Sequence, residues 1–129
     1  MARADFDPST VHPDGRAPAK GRLFDAQDPA PWRGALNGDT LGGPVTVLTY
    51  GNDTPGQGPR LHVHPYDETF VVIEGRVRFV VGDTVIDAAA GEVVMAPKGV
   101  PHRFENLGPG RMQTIDIHHS PRWIQTDLD

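Results

Sequence analysis

The chain has 129 residues, no cysteine and a formal net charge of −5. That length fits one domain able to bury a core without staples, and the missing thiols exclude both disulfides and thiolate metal sites. The acidic balance argues against non-specific binding of nucleic acid or of an anionic membrane surface, both of which need basic patches.

The N-terminal M-A-R-A-D-F-D-P-S-T has no apolar stretch of the signal-peptide kind, and no run approaches the roughly 20 apolar residues of a membrane span. A soluble, cytoplasmic protein is the default expectation. Fifteen glycines and 13 prolines cut the chain into short pieces, which disfavours long helices. The aliphatic clusters are short and rich in valine and isoleucine, so the chain reads as all-β.

Residues 1–40 read as an N-terminal arm, partly extended, broken by Pro8, Pro13, Pro18, Pro29 and Pro31. A short strand or turn is expected around Gly21–Asp25. Leu23, Phe24 and Trp32 are the apolar anchors by which the arm could pack across a second subunit. Residues 41–129 hold the dense part. Strands are expected at Val45–Tyr50, Arg60–His64, Glu68–Ile73, Arg76–Val81, Thr84–Asp87, Val93–Ala96, His102–Glu105 and Met112–His118. Glu74-Gly75 and Gly82-Asp83 are turn signals between them, and the tail Ser120–Asp129 could carry a helical turn. Short strands at such spacing point to a sandwich or barrel.

Within this pattern His62 and His64 lie two residues apart on one strand and so share a face. A turn at Pro65-Tyr66-Asp67 brings Glu68 back toward them. Two imidazoles and a carboxylate at one point are the chemistry of a metal site on nitrogen and oxygen ligands. A second hairpin, with its Pro97-Lys98-Gly99 turn and Pro101, holds His102, a possible fourth ligand.

These two stretches resemble the two motifs of the cupins. Gly56, His62, His64, Glu68 and Gly75 match the first motif at every position, and Gly91, Pro97, Gly99, His102 and Asn106 match the second. Ten specified residues, most of types used at roughly 2–7% each, make chance agreement negligible. The resemblance covers about residues 45–119 and implies a double-stranded β-helix, or jelly-roll barrel, with a metal near one mouth. By the same resemblance His62, His64, Glu68 and His102 are the ligands of one divalent transition metal. Fe, Mn, Ni, Cu and Zn all suit that donor set. Asn106 is read as structural.

Strand parity sends Phe70 and Val72 inward after Glu68, and Phe104 after His102. Phe79, Met95 and Ile115 or Ile117 are expected to join them in an apolar substrate pocket, with Tyr50, Gln57, Arg60 and Tyr66 near its mouth. Glu68 is a candidate base. His118 or His119 could face the pocket and carry protons, with Asp116 sharing the parity of His118. The resemblance implies a metal-dependent enzyme, an oxygenase or an isomerase or cyclase, acting on an enolisable, oxygen-rich and partly apolar small molecule. The alternative is a non-catalytic cupin that binds or senses a small ligand at its metal. The resemblance also implies a homodimer.

Overall fold

The computed structural model describes residues 2–24 and 33–129. Trp32, and Asp25 at the end of the turn expected in the arm, lie outside the described residues. Two five-stranded antiparallel sheets face each other. One has the order β1-β2-β9-β4-β7, with β1 Arg33–Leu36, β2 Thr46–Asn52, β4 Glu68–Glu74, β7 Val93–Ala96 and β9 Met112–His118. The other has the order β10-β3-β8-β5-β6, with β3 His62–Val63, β5 Arg76–Val81, β6 Thr84–Ala89, β8 His102–Asn106 and β10 Thr126–Asp127.

Alternation explains the core. Along β4 the residues Glu68, Phe70 and Val72 are buried, and along β5 so are Val77, Phe79 and Val81. Apart from Glu68, these residues form one apolar cluster between the sheets with Ala88, Val94, Ala96, Phe104 and Met112. Burying the side chains of this cluster contributes about 1.5–3 kcal/mol for each large aliphatic or aromatic residue. The β4–β5 hairpin turns on Gly75, where φ is +78° and an added Cβ would lie 2.3 Å from the Arg111 carbonyl oxygen.

The motif asparagine is structural, as expected. Asn106 Nδ2 donates to the Gly110 carbonyl at 2.8 Å, and its Oδ1 accepts from the Gly108 N–H at 2.7 Å. It thereby fixes the loop between β8 and β9.

Three segments differ from the sequence reading. The sheet begins at Arg33 and not after residue 40, because Arg33–Leu36 pairs antiparallel with Val47–Tyr50. The strand expected at Arg60–His64 shrinks to His62–Val63, since Pro59 and Pro65 on either side cannot donate to a ladder. The tail forms no helical turn. Thr126 and Asp127 instead pair with Val63 and His62, closing the free edge of β3.

Residues 2–22 of the arm are exposed, while Leu23 and Phe24 are half-buried. The arm runs against β1 of its own chain: an added Cβ on Gly34 would lie 2.2 Å from the Leu23 carbonyl oxygen. No helix of the described residues is long and apolar enough to cross a membrane.

Candidate metal centre

Both sheets contribute to one cluster through cross-strand pairs. In one sheet His62 lies directly opposite His102; in the other Glu68 lies opposite His118. His64 follows β3 and is tied down by the Pro97–Gly99 turn, whose Gly99 N–H donates to the His64 carbonyl at 2.9 Å. One donor atom from each of His62, His64, Glu68 and His102 lies within 4.8 Å of the others, and all four residues are buried. The expected ligand set therefore converges.

The imidazole protons are assigned by their partners. His62 Nδ1 lies 2.6 Å from the Arg60 carbonyl, His64 Nδ1 2.7 Å from that of Ile124, and His102 Nδ1 3.0 Å from that of Val100. A carbonyl oxygen only accepts, so each Nδ1 carries the proton and each Nε2 of a neutral ring offers a lone pair. This is how a metal-binding histidine is oriented by its outer partner.

The Nε2 atoms of His64 and His102 then face Glu68 Oε1 at 2.9 and 3.0 Å. Lone pairs and a carboxylate at that distance repel unless a cation or added protons lie among them. The donor set fits a divalent transition ion, and protons take its place when the metal is absent. Burial opposes charge on Glu68, yet in the metal-free cluster protons on the imidazoles around it, those of His102 and His118 first, prevail and hold its carboxyl well below the usual range. Burial, the largest influence on His62, lowers its pKa, against the pull of the Arg60 carbonyl.

Around these four, the structure adds a line of contacts that sequence reasoning did not assemble. His118 is buried and its Nε2 lies 3.0 Å from Glu68 Oε2. Its Nδ1 lies 2.7 Å from the Tyr66 hydroxyl. That hydroxyl accepts from the Ile124 N–H at 3.0 Å and has the Ile124 carbonyl at 3.1 Å. The Glu68 carboxylate only accepts, so His118 Nε2 carries a proton, and the Nδ1 of the neutral ring accepts from the Tyr66 hydroxyl, which also reaches the Ile124 carbonyl. His118 Nε2–H then donates to Glu68. The adjacent His119 points outward and pairs with the Thr69 hydroxyl at 2.9 Å.

Next to the cluster lies a cavity of about 590 Å³. Its inner wall includes His62, Glu68, His118 and Asp116, its sides Leu48, Tyr50 and Phe104, and its mouth Arg33, Arg60 and Trp123. Of the expected pocket residues, Tyr50 and Phe104 do face this cavity. Phe70, Val72 and Phe79 sit instead in the packed core, away from the cavity wall.

Met95 is a correction. It is 51% exposed, because Ala96, paired with Glu68, takes the inward parity on β7. Ile115 and Ile117 are a second correction: they are only half-buried, and the inward parity of β9 belongs to Met112, Thr114, Asp116 and His118. Gln57 and Arg60 line the cavity, whereas Tyr66 serves His118.

Comparison with known proteins shows the family and the fold. The family description "Cupin domain" matches residues 50–118, more than half of the chain. An uncharacterized protein of Streptomyces coelicolor is 39% identical over 44 residues, which is 34% of this chain and 42% of that protein. The chain thus spans less than half the length of the curated relative it matches. Among solved structures, oxalate decarboxylase of Bacillus subtilis, a protein with Mn(II) centres, superposes with a TM-score of 0.68 at 20% identity. That match covers 74% of this chain and 27% of the decarboxylase. An uncharacterized conserved protein with a double-stranded β-helix domain from Klebsiella pneumoniae superposes at 0.65 and 23% identity, covering 83% of this chain and 91% of that one. With both motifs in place, two sheets closed face to face and that match across the barrel, the chain belongs to the cupin domain family.

Proposed function

We propose that the protein is a metal-dependent enzyme acting on a small, enolisable, oxygen-rich and partly apolar molecule, by oxygenase or by isomerase or cyclase chemistry. The observation that supports this reading is the proton assignment. Three Nδ1–H groups are committed to backbone carbonyls, leaving three Nε2 lone pairs and Glu68 facing one point.

His62, His64, Glu68 and His102 would hold the ion. Manganese, which the structurally similar decarboxylase carries, is one candidate beside iron, nickel, copper and zinc. When bound, such an ion supplies Lewis-acid polarisation of a substrate oxygen and, where redox-active, electron transfer.

The chain's own groups do the rest. Tyr50, Phe104 and Leu48 exclude water from the reacting end of the cavity. Glu68 is the candidate base, and the Tyr66–His118 line, whose hydrogens point toward Glu68 Oε2, could deliver a proton to that carboxylate.

The test is elemental analysis of purified protein beside His62→Ala. The expected result is near one equivalent of a divalent transition metal per wild-type chain and under a tenth of that in the variant. Equal content in both would overturn the proposal. Oxygen uptake by the metal-loaded protein with flavonols or diketones then separates the oxygenase from the isomerase or cyclase.

A further inference from the structure

Asp116 is a buried charge-bearing group with no role in the ligand set or the Tyr66–His118 line. It lies in the middle of β9, directly opposite Leu48 on one side and Phe70 on the other. Its side chain is inward and 4% exposed, and Oδ1 has no hydrogen-bond partner. The neighbours facing it are Leu48, Phe70 and, one pleat away, His118 and Glu68 on one side and the Thr114 hydroxyl on the other. None of these neutralises it.

Buried polar atoms in native proteins are almost always paired. One left without a partner on a cavity wall is a place where a bound molecule completes the bond. The cavity is otherwise apolar at its sides through Leu48, Tyr50 and Phe104, and cationic at its mouth through Arg33 and Arg60. Arg33 is held there, its guanidinium carbon 4.2 Å from the Tyr50 ring centroid. The cavity is thus polar at both ends and apolar between.

We infer that Asp116 is a ligand-contacting residue. It bonds to a carbonyl or enol oxygen of a molecule with an apolar middle whose carboxylate end is held by Arg33 and Arg60. A protonated carboxyl is the form that donates such a bond. Burial, the largest cause, and the negative Glu68 both push Asp116 well above the ordinary carboxyl value, against the nearby Thr114 hydroxyl. The inference rests on the proposed function only in that the molecule shares its cavity with the metal.

The experiment is isothermal titration of wild type, Asp116→Leu, Asp116→Asn and Arg33→Gln with 4-acetylbenzoate, which carries a ketone and a carboxylate at opposite ends. Benzoate, without the ketone, and 4-methylacetophenone, without the charge, are the controls. Metal content is read on the same samples.

Asp116→Leu is expected to weaken 4-acetylbenzoate at least tenfold while leaving benzoate within twofold. Asp116→Asn, which keeps a donor, loses less than Asp116→Leu. Arg33→Gln weakens both acids and spares the neutral ketone. Wild-type affinity for 4-acetylbenzoate in Asp116→Leu, or no binding by wild type at millimolar probe, would overturn the inference. If Asp116→Leu fails to fold, Asp116→Asn decides, and a loss in it no larger for 4-acetylbenzoate than for benzoate overturns the inference. Absence of metal in wild type would sink the proposed function alone, because the same comparison is then made on metal-free protein.

Discussion

Replacing Tyr66 with Phe isolates a single hydroxyl. The ring, stacked on His64 with centroids 5.0 Å apart and planes 10° from parallel, is kept. What disappears is the donor to His118 Nδ1 and the acceptor for the Ile124 N–H. Ile124 is 45% exposed, so its N–H can turn to water, but His118 is 2% exposed and its Nδ1 is left without a partner. Leaving one buried polar atom unpaired costs about 1–3 kcal/mol.

The loss should appear in urea unfolding of metal-free protein at neutral pH, as a lower midpoint with an unchanged slope. Loosening His118 also loosens Glu68 Oε2, so metal affinity should fall by roughly tenfold or more, the usual effect of losing an outer partner. A cycle with His118→Ala sharpens the test. Once His118 is gone, the substitution at Tyr66 should cost almost nothing. If Tyr66→Phe costs the same in both backgrounds, or costs nothing in either, the hydroxyl does not act through His118.

Acid should remove stability and metal together. Glu68 has a folded pKa below its ordinary 4.5, so its contribution is present above that value and fades as pH falls. His62 has a folded pKa below its ordinary 6.5, so it too favours the fold above 6.5 and less below. The melting temperature of metal-free protein should therefore decline below pH 6.5 and faster below 4.5; a flat profile from pH 7 to about 4 would contradict both assignments. Asp116 has the opposite sign, because its folded pKa is raised from 3.8 and its contribution is lost as pH rises. The melting difference between Asp116→Asn and wild type should thus grow in the variant's favour from acid to neutral pH.

Gly75→Ala must place a Cβ 2.3 Å from the Arg111 carbonyl at φ +78°, and should cost about 2 kcal/mol or more by urea unfolding; a neutral result would mean that the hairpin shifts freely. If the protein pairs through its arm, removing residues 2–20 should turn a dimer into a monomer in analytical ultracentrifugation. A dimer that survives refutes arm exchange.

The ligand set was legible because two independent cues agree on it. Alternation alone puts His62 and His64 on one face, and the motif spacing adds Glu68 and His102 from separate strands. The strands Arg76–Val81, Val93–Ala96 and Met112–His118 were legible at both ends, since glycine or proline bounds each nearby. The tail strand was not. Thr126-Asp127 has no strand pattern of its own and exists because β3 offers an unpaired edge. The Tyr66–His118 contact was equally hidden, joining residues 52 positions apart. Met95 was misplaced because on β7 the inward residue facing Glu68 is the small Ala96, which hydrophobicity does not favour over methionine.

The most instructive miss is β9, M-Q-T-I-D-I-H. A half-buried strand ordinarily turns its aliphatic residues inward, and on that rule Ile115 and Ile117 belong in the pocket. The structure inverts the rule: Thr114, Asp116 and His118 face inward on the strand that runs through the middle of its sheet. Packing offers no reason for this, because burying a carboxyl and an imidazole costs more than burying two isoleucines. The inversion fits an interior that is core beside Met112 and cavity beside Asp116 and His118. His118 is paired with Glu68, while Asp116 has the Thr114 hydroxyl nearby but keeps Oδ1 without a hydrogen-bond partner on the cavity wall. Local disagreement between hydrophobic pattern and burial tends to mark function. Here it marks the cavity wall from the sequence side, independently of the metal motif.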